Sequence, residues 1–430
     1  MIRVLKGQVA ASAVGRLQRR STCFEEAEPT VGRIIRAVRQ GGDRRLVGYA
    51  TLWDGLQKGQ ALRVSQDEIA KAWSATSKPI RDALQQAAAN IRRFCRWQMP
   101  REWRKTVNGG ELGQLVRPLA SVGCYVPGGR YPLPSTLLMT VIPAQVAGVE
   151  RIVVVSPRPH TVTLAAAALL RVNEVYRCGG AQAIAALAYG TESIPAVDKI
   201  VGPGNRFVTA AKKLVSFDCA IDMLAGPTEA VLYSDDGEPR FLAADMVAQA
   251  EHDPDAVVTF ITTREPLATK VRDAMVAMSA DNPIARTATR RNAVLLVASS
   301  RNEAMEWVNR IAPEHLTVDD DSIVPLIVNA GSVFVGPYSP QSAGDYAAGT
   351  NHVLPTAGAA RFRAGLSVHD FVKLITVQRF EADGLRMIAP AITTLAEAEG
   401  LRAHAESVRV RCNDLRAHGW REEKRSAAYA

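Results

Sequence analysis

Four short polar clusters carry most of the candidate chemistry in the C-terminal half of this chain: Gln249-x-x-His252, Glu314-His315, Gly344-Asp345-Tyr346 and Asn351-His352. Only seven histidines occur in the whole sequence, so three falling in these clusters is a concentration. His404, in Glu399-Gly400-Leu401-Arg402-Ala403-His404, makes a fifth cluster. One metal ion with nitrogen and oxygen ligands, beside a Glu-His pair that moves protons, needs about this residue set. The set points to an enzyme.

Each cluster also has a plain reading. Gln249 and His252 stand three apart at the end of an expected helix, Pro239 to Gln249, so their side chains share a face and suit two ligands of one ion. A polar helix terminus with His252 at the negative dipole end is the alternative. Glu314-His315 follows Ile311-Ala312-Pro313 at a helix-to-strand junction, where adjacent side chains diverge and can serve different steps. A surface loop with two ordinary polar residues is the alternative there. Gly344 to His352 reads as a small-residue-rich loop after a strand, Ser332 to Val335, with Asp345 a candidate oxygen ligand and His352 a candidate substrate contact.

A second kind of feature lies upstream. Pro127-Gly128-Gly129, Gly179-Gly180-Ala181-Gln182 and Gly202-Pro203-Gly204-Asn205 occupy turns at the ends of successive expected strands. There is no G-x-G-x-x-G, and any one of them is an ordinary turn. Three at one sheet edge suggest anion-binding loops, because open parallel sheets bind ligands at that edge.

The elements that must position these residues follow from periodicity. The first hundred or so residues read as helices: Val31 to Val38, stopped by Gly41-Gly42-Asp43, and Ser65 to Arg93, with Ser65 as N-cap and a break at Pro79. From about residue 120 strands and helices alternate. Arg151 to Val155 is a continuous apolar run suited to a strand buried on both faces. A βαβαβα run to Val215 predicts a parallel sheet, and the theme recurs from Ala230 to Val297. Helix returns from Ile388 to Glu399 and the chain ends in a charged tail.

Composition sets outer limits. With 430 residues, 47% of them hydrophobic and 22% charged, the chain can build two or three real cores and is not disordered. Lys and Arg number 52 against 43 Asp and Glu, with much of the excess in Arg16–Arg20, Arg92–Arg104 and the tail from Arg402 to Arg425. No stretch interleaves that charge with aromatics, so nucleic acid is not the expected partner. The six cysteines are scattered without C-x-x-C, which fits free thiols in a reducing cytosol. The N-terminus, Met1-Ile2-Arg3-Val4-Leu5-Lys6, lacks a signal-peptide core, and no apolar run is long enough to span a membrane. A cytoplasmic protein is expected.

Taken together, six strings resemble the histidinol dehydrogenase family from about Val31 to about Val410: Val122 to Gly129, Val201 to Asn205, Ile221 to Glu229, Gln249 to Asp253, Ala312 to Leu316 and Gly344 to Pro355. The resemblance implies oxidation of L-histidinol to L-histidine, the last step of histidine biosynthesis, in two NAD-dependent steps through a bound aldehyde. It implies one Zn2+ per subunit, held by Gln249, His252, Asp345 and His404, with Glu314 and His315 as the proton movers. Substrate would touch Thr228, Gln249, His252, His315, Asp345, His352, Glu399 and His404. Tyr125, Gln182 and Asn205 match NAD contacts, which recasts the three glycine turns as cofactor loops. A homodimer with an exchanged C-terminal segment is implied, so that His352, Glu399 and His404 reach the partner's site. The fold class expected is α/β, with two incomplete Rossmann-like parallel-sheet units and helical N- and C-terminal segments. In domains, this reads as an N-terminal segment 1–25, a discontinuous first α/β domain 26–120 and 228–365, an NAD-binding domain 121–227, and a C-terminal helical segment 366–430.

The chain departs from the family pattern at Phe94-Cys95-Arg96, where many relatives have Phe-His-Glu, at Ser216 to Cys219, and in the tail beyond Val410. None of these touches a candidate site position. Rival readings are a relative that oxidises another small alcohol, such as a sulfopropanediol, a zinc hydrolase using Glu314 to activate water, and a silent binding protein. The intact Pro313-Glu314-His315 with Glu399 and His404 favours histidinol over the first. A hydrolase has no need of NAD. The silent protein predicts no effect of changing Glu314 or His315.

Overall fold

The computed structural model describes residues 2–20, 24–107, 109–128 and 131–417, with side chains to residue 413. Gly129, Cys23 and the tail with Trp420 lie outside the described residues. Among the described residues, one compact unit takes in the chain up to Met99 and Pro118–Phe371, and a second takes in Pro100–Arg117 and the chain from Val372.

The first unit opens with strand β1 (Val4–Lys6) and helix α1 (Gly7–Gln18), then α2 (Glu28–Trp53), α3 (Gln66–Ala75) and α4 (Lys78–Gln98). Ser65 caps α3 in a full capping box with Glu68, as its position before the apolar run predicts. Gly41-Gly42-Asp43 does not stop α2. The helix only kinks at Gly42 (φ 51°, ψ −141°) and runs on to Trp53. Packing overrides the breaker, because Leu46 and Ala50 join the same core as Val31, Ile34 and Val38. The Asp43 N–H freed at the kink donates to the Glu192 carboxylate at 2.6 Å.

After β2 (Trp103–Val107) and β3 (Gly110–Pro118), the chain alternates regularly: β4 (Ser121–Tyr125), α5 (Pro134–Ala147), β5 (Arg151–Val155), α6 (Thr161–Leu169), β6 (Glu174–Tyr176), α7 (Gly180–Tyr189), β7 (Lys199–Val201), α8 (Arg206–Val215) and β8 (Ala220–Ile221). These strands form a parallel sheet in the order β6-β5-β4-β7-β8. Helices α2, α7 and α8 share one apolar core on it. On the other side of the unit's helical layers, α3 packs on α6 and α4 on α5.

The pattern then repeats with β9 (Glu229–Tyr233), α9 (Pro239–Ala250), β10 (Val257–Thr262), α10 (Glu265–Met278), α11 (Pro283–Asn292), β11 (Val294–Val297), α12 (Arg301–Ile311), β12 (His315–Val318), β13 (Ser332–Val335) and the short α13 (Gln341–Tyr346). The six-stranded parallel sheet runs β1-β11-β10-β9-β12-β13. Helices α9, α10 and α11 bury Met246, Val271 and Ala288 on one side of it. Helices α1 and α12 bury Val14, Trp307 and Val308 on the other.

Both sheets therefore have one doubly wound order. Counting each from its own first strand, the order is 3-2-1-4-5, with β1 added at the edge of the larger sheet. Each sheet has a switch point where the winding reverses, at β4/β7 and at β9/β12, and ligands favour such points. The α/β class and the two Rossmann-like units expected from the sequence are what the chain forms.

The expected helical end segments are only partly helical. The second unit pairs β2 with β3 antiparallel and adds β14 (Val372–Phe380) in the order β14-β3-β2, before α14 (Ala382–Ala398) and α15 (Arg402–Ala417). β14 is largely exposed and shows no apolar alternation, so period-2 reasoning has nothing to detect.

Candidate active site

A cavity of about 350 Å³ lies between the carboxyl edge of the five-stranded sheet and the amino edge of the six-stranded sheet. Pro127 after β4 and Pro203, Gly204 and Asn205 after β7 form one wall. Thr228 before β9, with Glu314 and His315 at the start of β12, forms the other. The cavity thus sits at the carboxyl-end switch point of the five-stranded sheet and is closed by the amino ends of β9 and β12. Gln249 and His252 come from the end of α9, Asp345 from α13, and His352 from the segment that follows it.

The local fold explains how Glu314 and His315 arrive there. Helix α12 ends at Ala312 in a left-handed conformation (φ 52°), and Pro313 cannot continue the helix. The chain swings directly into β12, with His315 opposite Ala230 of β9. Both side chains are buried, Glu314 at 6% and His315 at 3% exposure, which rules out the surface-loop reading. They do not diverge: Glu314 Oε2 lies 3.7 Å from His315 Nδ1. The Glu229 N–H donates to Glu314 Oε2 at 2.9 Å, and the Glu229 carbonyl faces His315 Nδ1 at 3.3 Å. In the neutral ring, Nδ1–H donated to that carbonyl leaves the lone pair on Nε2; in the charged ring both nitrogens carry a proton. His315 Nε2 is buried without a hydrogen-bond partner, and Asp345 Oδ1 sits 3.4 Å from it.

Charge in this pocket is tightly balanced. Burial pushes the Glu314 carboxyl up to about 8, against the opposing pull of His315 and the Glu229 N–H. Burial works against a charged His315, but Glu314 and Asp345 outweigh it and push the imidazole up to about 9. Asp345 is held below the usual carboxylate range: burial opposes this, and contact with His315 prevails. Burial pushes His352 down, towards the neutral form. Its Nδ1 lies 2.9 Å from the Asp345 carbonyl and its Nε2 3.3 Å from Thr136 Oγ1.

Gln249, Asp345 and His252 differ in setting. Gln249 is 1% exposed and its amide donates to Asp345 Oδ2 at 3.1 Å. His252 is exposed in the turn just past the cap of α9, so it is not on the helix proper. Asp345 sits on the short α13 and not on an open loop. Among the described residues, no three His, Cys, Asp or Glu side chains group as a metal site. Within the first unit Gln249, His252 and Asp345 bring an amide, an imidazole and a carboxylate to the cavity lining, a nitrogen and oxygen set that fits a borderline divalent cation such as zinc. Glu399 and His404 belong to the second unit, where both are exposed, Glu399 at the cap of α14 and His404 in the first turn of α15.

The three glycine turns have distinct roles. Asn205 caps α8, its Oδ1 accepting from the Phe207 and Val208 N–H groups, which leaves its amide nitrogen for a ligand. Tyr125 and Gln182 do not line the cavity. They are buried in a network beneath the loops: the Gly180 N–H donates to the Tyr125 hydroxyl, and Gln182 Nε2 and the Gly179 N–H both donate to Asp54. Gly202 has φ +112°, and a Cβ there would lie 2.2 Å from the Tyr125 carbonyl oxygen. A Cβ on Gly128 would lie 1.8 Å from the Pro157 carbonyl oxygen. Such close-packed glycine loops at a switch point, followed by helix N-termini, fit a dinucleotide. Gly202→Ala is expected to weaken binding of a dinucleotide at least tenfold, because a Cβ there displaces the loop backbone and leaves the Glu314–His315 pair in place; titration of parent and variant with a dinucleotide checks this.

Sequence reasoning missed the residues that hold these groups in place. Asp54 follows a helix with no local signal. Lys212 lies on α8, buried at 2%, and pairs with Asp222, which is fully buried. Asp222 and Glu229 both fall inside the Ile221–Glu229 string, and Glu229 begins a strand buried at every position. A carboxylate at the head of an entirely buried strand is itself a signal, since a buried charge must find a partner.

Comparison with known proteins points to one family. The family model described as Histidinol dehydrogenase matches residues 17–412. The chain is 47% identical over 397 residues to the histidinol dehydrogenase of Methanothermobacter thermautotrophicus, covering 89% of this chain and 93% of that one. It is 49% identical over 391 residues to that of Haloarcula marismortui, covering 88% and 92%. The crystal structure of histidinol dehydrogenase from Elizabethkingia anophelis superposes with a TM-score of 0.92 at 36% identity, covering 96% of this chain and 99% of that one.

Proposed function

The chain belongs to the histidinol dehydrogenase family and is an oxidoreductase, and on that premise we propose that it oxidises L-histidinol to L-histidine through bound L-histidinaldehyde, with zinc and two NAD+. The observation that carries this reading is the buried Glu314–His315 pair, with the unpartnered His315 Nε2 turned towards Asp345 on the cavity wall.

Gln249, His252 and Asp345 would hold the metal together with His404, and Asn205, Tyr125 and Gln182 would hold the cofactor and its loops. Zinc, when bound, supplies a fixed point for the substrate's nitrogen donors and takes up the Asp345 charge. NAD held there would supply the hydride acceptor for each oxidation. In the first oxidation His315 Nε2 would take the hydroxyl proton of the alcohol, with the Glu314 carboxylate beside its Nδ1. The Glu229 carbonyl keeps the ring in the tautomer that can do so. As water adds to the aldehyde carbonyl, Glu314 draws a proton from the water and His315 returns the proton it holds to the carbonyl oxygen; the neutral ring then takes a hydroxyl proton of the resulting hydrate as the second hydride leaves, and both residues release their protons to solvent with the product. Thr228 and His352 line the cavity as substrate contacts. Burial of the pair keeps bulk water from the reacting centre, so the aldehyde stays bound between steps.

Exposure in the second unit supports the exchanged dimer: Met387, Leu395 and Leu401 of α14 and the α14–α15 turn are open apolar side chains, a pattern suited to a partner surface. In that arrangement Glu399 and His404 serve the site of the other subunit, whereas His352, expected to reach across with them, lines the cavity of its own chain. No described helix is long and apolar enough to cross a membrane.

The test is NADH formed per L-histidinol consumed, before and after chelation and after zinc return. Two NADH, lost on chelation and restored by zinc, support the reading. One NADH points to an alcohol-only relative, and none removes the reading. Asp345→Asn is expected to lower bound zinc well below one equivalent per subunit by metal analysis. Retention of a full equivalent would falsify the ligand set.

A further inference from the structure

Glu229 does more than begin a strand. Its N–H donates to Glu314 Oε2 at 2.9 Å and its carbonyl faces His315 Nδ1 at 3.3 Å, so one residue touches both proton movers. A neutral residue could supply the same N–H and carbonyl. This chain instead places a carboxylate there, at 4% exposure. A buried carboxylate is costly unless it is paired and hydrogen-bonded, and this one is both. Arg20 Nε and Nη2 grip its two oxygens in a bidentate pair. The Ala357 N–H donates to Oε1 at 2.8 Å. Arg20 is in turn tied back to the end of α1 by donation to the Leu17 carbonyl.

The carboxylate thus joins three segments at the back of the cavity. The end of the N-terminal helix comes from one side. The segment through Ala357 comes from the other, just after His352, Val353, Leu354 and Thr356, all of which line the cavity. The Glu314–His315 pair rests on the peptide groups between them. Ala357 is itself held in the left-handed region (φ 53°), a conformation that persists when surrounding contacts fix it.

We propose that Glu229 is a positioning residue for the reaction: its carboxylate, clasped by Arg20 and the Ala357 N–H, fixes the peptide groups that orient Glu314 and His315. The proposal rests on the reading of those two residues as the proton movers. Glu229 touches neither substrate nor cofactor and acts through the pair it orients. Misplacing a reacting group by about 1 Å can cost on the order of 100-fold in rate, so the clasp bears on kcat and not on ground-state binding.

The experiment compares the full-length, zinc-loaded parent with Arg20→Met, Arg20→Lys and Glu229→Gln, each checked for a parental circular-dichroism spectrum. In Arg20→Met, kcat for histidinol oxidation is expected to fall about 10- to 100-fold, the range seen when groups that orient a site are removed, with KM for histidinol and NAD within about threefold. Guanidinium ion added to Arg20→Met raises kcat and leaves the parent unchanged. Arg20→Lys keeps the charge without the fork and recovers only part of the rate. Glu229→Gln, nearly isosteric and still able to accept from Ala357, carries the test if Arg20→Met fails to fold, with a smaller fall in kcat at constant KM. A parental kcat in folded Arg20→Met or Glu229→Gln overturns the proposal, as does a loss expressed only in KM. A purely structural role would give no guanidinium rescue in a folded variant, and that result also overturns it. If the parent itself forms no NADH from histidinol, the underlying reading falls and this proposal with it; an active parent with unaffected variants removes only the proposal.

Discussion

On the proposed reaction, Glu314→Gln is expected to slow oxidation of the aldehyde by about 100- to 10,000-fold, the usual worth of a positioned acid or base, and to leave alcohol oxidation within a few-fold of the parent. The asymmetry follows from the chemistry, since only the second oxidation consumes water. Glutamine preserves the local fold, because its amide oxygen can still accept from the Glu229 N–H that holds Glu314 Oε2. What is lost is the proton acceptor. His315→Asn lowers both steps by a similar factor, because Nε2 takes a hydroxyl proton in each. Single-turnover experiments started from the alcohol and from the aldehyde separate the two. Equal slowing of both steps in Glu314→Gln would sink the division of roles, and unchanged rates in both variants would sink the catalytic assignment altogether.

That division was half legible in the sequence. The clusters themselves were visible as polar residue types against an apolar background, and their strings named the family. Their geometry was not visible. Adjacent residues on an extended segment should diverge, yet Glu314 and His315 converge on one residue of the neighbouring strand, Glu229, which only the parallel register of β12 on β9 brings alongside. Likewise Gln249 and His252 read as one helical face, but α9 ends between them, leaving one residue buried and the other exposed. The two doubly wound sheets were legible because strands buried on both faces write continuous apolar runs. The kink at Gly42 and strand β14 were not. Tertiary packing carries α2 through its breaker, and β14 is too exposed to show a pattern.

The residues that escaped notice share a physical cause: they are charges whose partners are distant in sequence. Asp54 meets Gly179 and Gln182, Arg20 meets Glu229, and Lys199 meets Asp370, all across more than a hundred positions. Local spacing cannot reveal a pair of this kind. The one exception is Lys212 with Asp222, ten residues apart, where a lysine on an otherwise apolar helix face and an acid at a strand end were both in plain view.

That last pair yields the largest stability effect expected in the chain. Lys212→Met is expected to destabilise the protein by about 3–5 kcal/mol, the cost of leaving one member of a buried pair without its partner. Asp222 is fully buried and satisfies four groups: its Oδ1 accepts from Lys212 and the Met223 N–H, its Oδ2 accepts from the Gly202 N–H at 2.7 Å, and its carbonyl accepts from Arg363. Lys212 also donates to the Gly202 carbonyl at 3.0 Å. Both peptide groups of Gly202, the hinge of the loop that carries Asn205, are therefore held by this pair. Removing the lysine strands a carboxylate in the core and frees one side of the cofactor loop. Replacing both, in Lys212→Met with Asp222→Asn, removes the stranded charge and should recover a good part of the loss, since the remaining defect is the loop's hydrogen bonds. Urea unfolding of the two single variants and the double variant measures the coupling. Additive losses in the double variant would show that the two residues do not act as a pair. Recovery of stability without recovery of NAD affinity would show that the pair's charge stabilises the fold while its hydrogen bonds to Gly202 shape the loop.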